Sequence, residues 1–236
     1  MDLKFIDEEW SWKNTTLFEF LKENYPRYWK EFFIEHSKEL YNISEKIEEN
    51  KTIIYPEINQ VFRAFINIEK IKVVILGQDP YHNGSAVGLC FSVKIGNEIN
   101  PSLRSIYKEL ENENFEVKAN GDLSHWAKQG CMMLNTALTV EKGMPDDIHI
   151  GFWYDFIKDV IIYLGNRKDI AWLLMGSKAE HFAQYIEKNN NIFITSHPMP
   201  LSAYKSFRGH DAFIKSNVFT KINSFLKSKN KSPIFW

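Results

Sequence analysis

Four apolar residues, Val73 to Leu76, run into Gly77 and then into Gln78, Asp79, Pro80, Tyr81 and His82. An amide, a carboxylate, a rigid ring, a phenol and an imidazole thus stand side by side. Such groups bind polar ligands, orient water or move protons. Taken singly, each has a plainer explanation. An Asp after a strand forms turns or caps helices, and His197 before Pro198 can be an ordinary hydrogen-bonded loop residue. A metal hydrolase built from Asp79, His82, Asp146 and His149 is one way to use these groups. No HxH, HExxH or comparable ligand spacing supports it.

The elements around them give the polar groups a common place. Apolar runs of β type occur at IKVVIL (71–76), CMMLN (131–135), DIAWLLM (169–175) and NIFIT (191–195). Helical patterns lie between them at about 101–114, 122–129, 152–165 and 177–188, with a last one at about 211–227. Strand and helix in alternation, with near-continuous apolar strands, predict an α/β fold with a central four-stranded parallel sheet flanked by helices on both faces. Each run ends in a polar or glycine loop: GQDPYH, NTALTV, GSK and SHPMPLS. Ligands of open parallel sheets bind beyond the carboxyl ends of the strands, so the four loops should converge. Residues 16–48 are aromatic-rich with helical spacing and a break at Pro26, which predicts two short amphipathic helices forming a cap over 1–50. No repeat or linker divides the chain, so 1–236 reads as a single domain.

At 236 residues, 44% hydrophobic and 25% charged, the composition is that of a soluble globular protein. No run approaches the roughly 20 apolar residues that span a bilayer, and the acidic start lacks a signal peptide's basic region. A cytoplasmic protein is expected, or a nuclear one in a eukaryotic or viral setting. Cys90 and Cys131 sit in apolar surroundings and read as reduced core thiols. The net charge of −1 hides an uneven distribution: residues 1–50 carry seven Lys/Arg against twelve Asp/Glu, and residues 197–236 carry seven against one. The basic end could face a polyanion. The tail KSKNKS by itself reads as a solvated Lys-rich stretch.

Taken together the motifs resemble family 1 (UNG-type) uracil-DNA glycosylases. GQDPYH matches that family's water-activating motif, GLCFSV follows it, and LNTALTV, GS and HPMPLSAY fall in the family's order. The ending KSPIFW resembles its Pro-Ile-x-Trp tail. The resemblance covers about residues 52–236. It implies a monofunctional glycosylase that flips uracil out of DNA and hydrolyses its N-glycosidic bond, leaving an abasic site, with no metal or cofactor. No lysine nucleophile stands in the motifs, so strand-cleaving lyase chemistry is not expected. The implied partner is uracil-containing single- or double-stranded DNA, met by a monomer. A proteinaceous glycosylase inhibitor or a replication partner is a further implied contact. The alternative reading is a DNA-binding accessory subunit of replication that keeps the fold.

By the same resemblance Asp79 orients water and faces the developing sugar cation, and His197 donates to uracil O2. Asn135 matches uracil N3–H and O4. Gln78 contributes through its backbone, and Tyr81 fills the space of thymine's methyl group. Phe91 stacks on the base or belongs to the core, and His82 has a supporting or purely structural role. Ser102, Ser177 and Ser202 hold phosphates, although Ser102 could equally cap a helix. Leu201 matches the wedge that replaces the extruded nucleotide. Tyr204, Lys205 and Arg208 complete the DNA contacts.

Four departures accompany the match. HNGSAVGL is one residue shorter than the family spacing, and PDDIHIGFW, with Asp146, Asp147 and His149, replaces an Ala-Asn-Ser-His stretch. Met199 stands where the family has serine, and Arg208 with His210 alter a Gly-Phe-Phe-Gly segment. Arg208 and Lys205 are the candidates to compensate for the lost serine donor. The plainer alternative has Met199 packed under the loop and Arg208 solvated.

Overall fold

The computed structural model describes residues 10–49, 52–117, 120–145, 148–188 and 190–236. Helix α1 (Leu17–Glu23) opens on a capping box in which Thr16 and Glu19 satisfy each other's backbone N–H groups. After Pro26 come α2 (Lys30–Glu35) and α3 (Ser37–Glu48). Three helices therefore replace the two expected. The second break falls at His36, which ends α2 and precedes α3, with its Nδ1 2.8 Å from the Phe32 carbonyl. Leu17, Phe33 and Ile47 from these helices belong to the same apolar core as the strands.

Strand β1 (Ile54–Tyr55) precedes β2 (Val73–Gly77), α4 (Pro101–Asn112), α5 (Ser124–Lys128) and β3 (Cys131–Asn135). The chain continues through β4 (Val140–Glu141), α6 (His149–Gly165), β5 (Ala171–Met175), α7 (Ser177–Glu180), β6 (Asn191–Thr195) and α8 (Val218–Ser228). β3, β2, β5 and β6 form a four-stranded parallel sheet in that order, as expected. Every residue of β2, β3 and β5 is buried, because the surrounding helices leave no strand face for water. Edge strand β6 is only half covered.

Other expectations are corrected. The 177–188 pattern gives four α-helical residues followed by a 3-10 turn at His181–Tyr185. The last helix starts at Val218, because 211–217 form a loop in which Lys215 and Asn217 take positive φ angles of 70° and 54°. Its exit is held by α4, whose buried Glu109 accepts from the N–H groups of Lys215 (2.6 Å) and Asn217 (2.9 Å). The antiparallel pair β1–β4 was not expected, since two residues are too few to show a period of two. The Lys-rich tail is anchored: Lys229 lies 2.9 Å from the Asp169 carboxylate and Lys231 donates to the Asp169 carbonyl at 2.6 Å. Both cysteines are buried free thiols, and burial pushes their pKa values up. Among the described residues no helix is long and apolar enough to cross a membrane.

Sequential strands lie on opposite sides of β2, so the topology reverses between β2 and β5. Gly77 is in register with Asn135, and Met175 with Thr195. All four polar loops leave from this one edge of the sheet.

Candidate functional site

The first two loops stay tied beyond the sheet. The Thr136 N–H donates to the Gly77 carbonyl at 3.0 Å, and the Ala137 N–H to the Gln78 carbonyl at 2.9 Å. The Thr136 hydroxyl adds a 2.7 Å bond to the same Gln78 carbonyl. The Gln78 backbone carbonyl thus ties the two loops, while its side-chain amide donates to Asp79 Oδ1 at 3.1 Å. Asn135 is buried beside this seam. A Cβ on Gly77 would stand 2.3 Å from Asn135 Oδ1 and 2.7 Å from Cys90 Cβ, so glycine leaves the space the amide fills.

Asp79, Tyr81, Phe91 and Asn135 line one narrow pocket with Leu89 and Ser92. Phe91 holds φ at 63°, a left-handed conformation that is strained for an aromatic residue by roughly 1–3 kcal/mol. The surrounding bonds maintain it, among them the Tyr81 hydroxyl donating to the Phe91 carbonyl at 3.2 Å. Burial pushes the Tyr81 phenol up, which keeps it protonated.

The Phe91 ring meets the imidazole of His197 from the loop after β6, with centroids 6.1 Å apart and planes tilted by 51°. The Met199 N–H donates to His197 Nδ1 at 3.0 Å. An Nδ1 that accepts carries no proton, so the neutral ring has its N–H at Nε2. Behind the ring lies Gly176, with φ of 86°, where a Cβ would sit 3.0 Å from His197 Cβ. The loop after β5 thereby backs the imidazole.

Outside the pocket, Leu201 is 78% exposed, which removes the core reading, and Met199 and Tyr204 are exposed beside it. Met199 therefore does not pack under the loop. Ser202 donates to the carbonyls of His197 (3.0 Å) and Met199 (3.2 Å), shaping this loop from within. Ser177 is exposed at the first turn of α7, and Lys205 is exposed. Ser102 is half-buried at the second position of α4, one residue beyond Pro101 at its start, and Asn100 occupies the cap position. Arg208 is not simply solvated, because its Nη1 lies 3.1 Å from Glu180 Oε2. The His82 carbonyl accepts from the Gly143 N–H at 3.0 Å, a bond between backbones.

Among the described residues Asp79, His82 and His149 do not come within ligand reach of one another. His149 is fully buried with Nδ1 2.7 Å from Thr139 Oγ1, which also accepts from Trp153 Nε1 at 2.7 Å. Asp146 and Asp147 lie outside the described residues. Gly77, Gly176 and Glu180 are site-shaping residues that sequence reasoning missed. The two glycines at strand ends are visible signals, whereas Glu180 gives none before the loops are folded.

The uracil DNA glycosylase superfamily model matches residues 64–227. A uracil-DNA glycosylase of Ureaplasma parvum is 42% identical over 217 residues, covering 88% of this chain and 99% of the relative. One from Psychromonas ingrahamii is 41% identical over 220 residues, again covering 88% of this chain and 99% of the relative. The crystal structure of mimivirus uracil-DNA glycosylase superposes with a TM-score of 0.84 at 31% identity, covering 93% of this chain and 88% of the other. A variant of that mimivirus protein, solved in complex with UGI, gives the same TM-score of 0.84 at 31% identity over 93% of this chain and 90% of the other. With a family model spanning more than half of the chain and relatives matched over nearly their whole length, the chain belongs to the uracil DNA glycosylase superfamily.

Proposed function

We propose that in excising uracil from DNA, the activity of this family, Asp79 orients the attacking water and faces the oxocarbenium-like sugar, while His197 Nε2–H donates to uracil O2. The water oxygen bonds to C1′ as the C1′–N1 bond breaks, its electron pair leaves with uracil, and the water's proton passes to Asp79 or solvent. A neutral imidazole suffices, because a fixed donor in a dry site stabilises an anion without carrying full charge. One observation supports this reading above others: the backbone N–H of Met199 bonds Nδ1 and thereby places the proton on Nε2. That contact needs no side chain at 199, so the loss of serine there leaves the imidazole's orientation intact.

Asn135 reads uracil N3–H and O4, Tyr81 occupies the space of a 5-methyl group, and the Phe91 ring stacks on the base. Gln78 fixes the seam between the loops, and His82 supports its far side. Ser102, Ser177, Tyr204 and Lys205 form the DNA-facing rim, with Ser202 bracing the loop from within, Arg208 held beside the rim by Glu180, and Leu201 as the wedge that holds a duplex open. Base flipping by glycosylases is a general rule, and it places the target base outside the stack. The chain acts as one domain and as a monomer, inside the cell, on single- or double-stranded DNA. The UGI complexes of the mimivirus relative favour an inhibitor of that type as a partner.

The test is an oligonucleotide with one uracil, incubated with the protein in EDTA and then treated with alkali. Abasic sites should form at undiminished rate. Loss of activity on chelation with recovery on adding zinc or magnesium would overturn the assignment.

A further inference from the structure

The loop bearing His197 and Leu201 is fastened to α7 at two points. Near its start, Gly176 packs against His197 at the closest approach a Cβ would allow. One turn later in α7, Glu180 reaches the other end of the same loop. Its Oε2 takes Arg208 Nη1 at 3.1 Å and its Oε1 takes His210 Nε2 at 3.1 Å. Between these points the loop presents Met199, Leu201 and Tyr204 to solvent. Its neck closes independently, through the Ser196 N–H on the Asp211 carbonyl at 3.1 Å.

The far end is a tight two-residue turn. Phe207 and His210 exchange backbone bonds of 3.2 and 2.8 Å, and Arg208 and Gly209 hold φ at 48° and 82°. Turns of this kind favour Asn, Asp or Gly at both central positions, so arginine at the first is unfavourable without a compensating contact. Glu180 supplies that contact, and its carboxylate is largely shielded, at 20% side-chain exposure. The pair also lies in a cleft of about 590 Å³ shared with Ser177 and Lys178. An unengaged guanidinium there would be a phosphate ligand on the DNA-facing rim.

We propose that Glu180 is a positioning residue for duplex recognition. It sets the loop's far end relative to the catalytic imidazole, and it holds Arg208 back from indiscriminate phosphate binding. The inference rests on the uracil-DNA reading and concerns how this chain separates uracil in duplex from undamaged DNA.

Three variants test it: Glu180→Ala, Glu180→Gln and the double Glu180→Ala/Arg208→Ala. Steady-state excision is measured on a uracil duplex and on a short single-stranded uracil oligonucleotide, and binding to undamaged duplex by anisotropy across salt. Glu180→Ala should raise KM on the duplex about three- to tenfold, the scale of a partly shielded ion-pair network. It should leave kcat on the short strand within about twofold. Glu180→Gln, which keeps one of the two acceptor oxygens, should recover part of the duplex defect. Binding of Glu180→Ala to undamaged DNA should become more salt-dependent by about one unit of log–log slope, and the double variant should lose that increment. Equal losses on both substrates, or an unchanged slope in Glu180→Ala, would overturn the proposal. Failure of the glycosylase reading looks different, because wild-type protein would then release uracil from neither substrate.

Discussion

Gly77→Ala is the smallest change that should disable uracil recognition without touching a group that contacts the base. The added methyl would lie 2.3 Å from Asn135 Oδ1, against the 3.4 Å at which ordinary contact begins, a shortfall of 1.1 Å. On its other side Cys90 Cβ is 2.7 Å away, so the strain cannot be relieved toward the core. Asn135 is the freer neighbour, but its backbone is pinned by the register with Gly77 and by the Thr136 and Ala137 bonds. The amide must therefore rotate or shift by about that shortfall. A misplacement near 1 Å costs on the order of 10²-fold in rate, and overpacking costs about 1–3 kcal/mol of stability. The assay is single-turnover uracil release by a variant first shown to be folded by circular dichroism and thermal melting. Turnover within about threefold of wild type, far inside the expected 10², would show that Asn135 is not held by this contact. The inference that glycine at 77 exists for the amide would then be wrong.

Asp79→Asn should slow release by about 10² or more while DNA binding survives, checked by single-turnover kinetics beside anisotropy. Near-normal turnover would remove the carboxylate from the mechanism. Tyr81→Ala should admit thymine and Asn135→Asp should admit cytosine, each scored on oligonucleotides carrying the rejected base; no gain on either would mean the pocket is arranged differently. Leu201→Ala should impair excision from duplex more than from single strands, and equal losses would contradict a wedge. A stability prediction concerns Glu113, which accepts from the N–H groups opening α8 and whose pKa is raised, chiefly by burial. Raised in the fold, this carboxyl contributes stability when protonated and loses it as pH rises from the unfolded value through the folded one. The melting temperature of Glu113→Gln relative to wild type should therefore rise between about pH 4 and neutrality, and a flat or falling difference would contradict the shift.

The sequence by itself determined the sheet, because continuous apolar runs ending in polar loops admit few arrangements other than buried parallel strands with a site at their carboxyl edge. It also marked Asp79, Tyr81, Asn135 and His197, whose residue types and order along the chain are local facts. The helix limits at the N-terminus and before α8 were not legible. His36 breaks one helix from the next, and the left-handed loop at 215–217 is held by Glu109, 106 positions away from Lys215. Periodicity carries no record of such long-range bonds. The exposure of Leu201 and Met199, the positive φ of Phe91 and the proton on His197 Nε2 were likewise decided in three dimensions. Each depends on how the folded loops arrange backbone groups and solvent around the residue. Arg208 shows the limit most plainly: its charge is written in the sequence, but Glu180, 28 residues earlier, decides whether that charge is available to DNA.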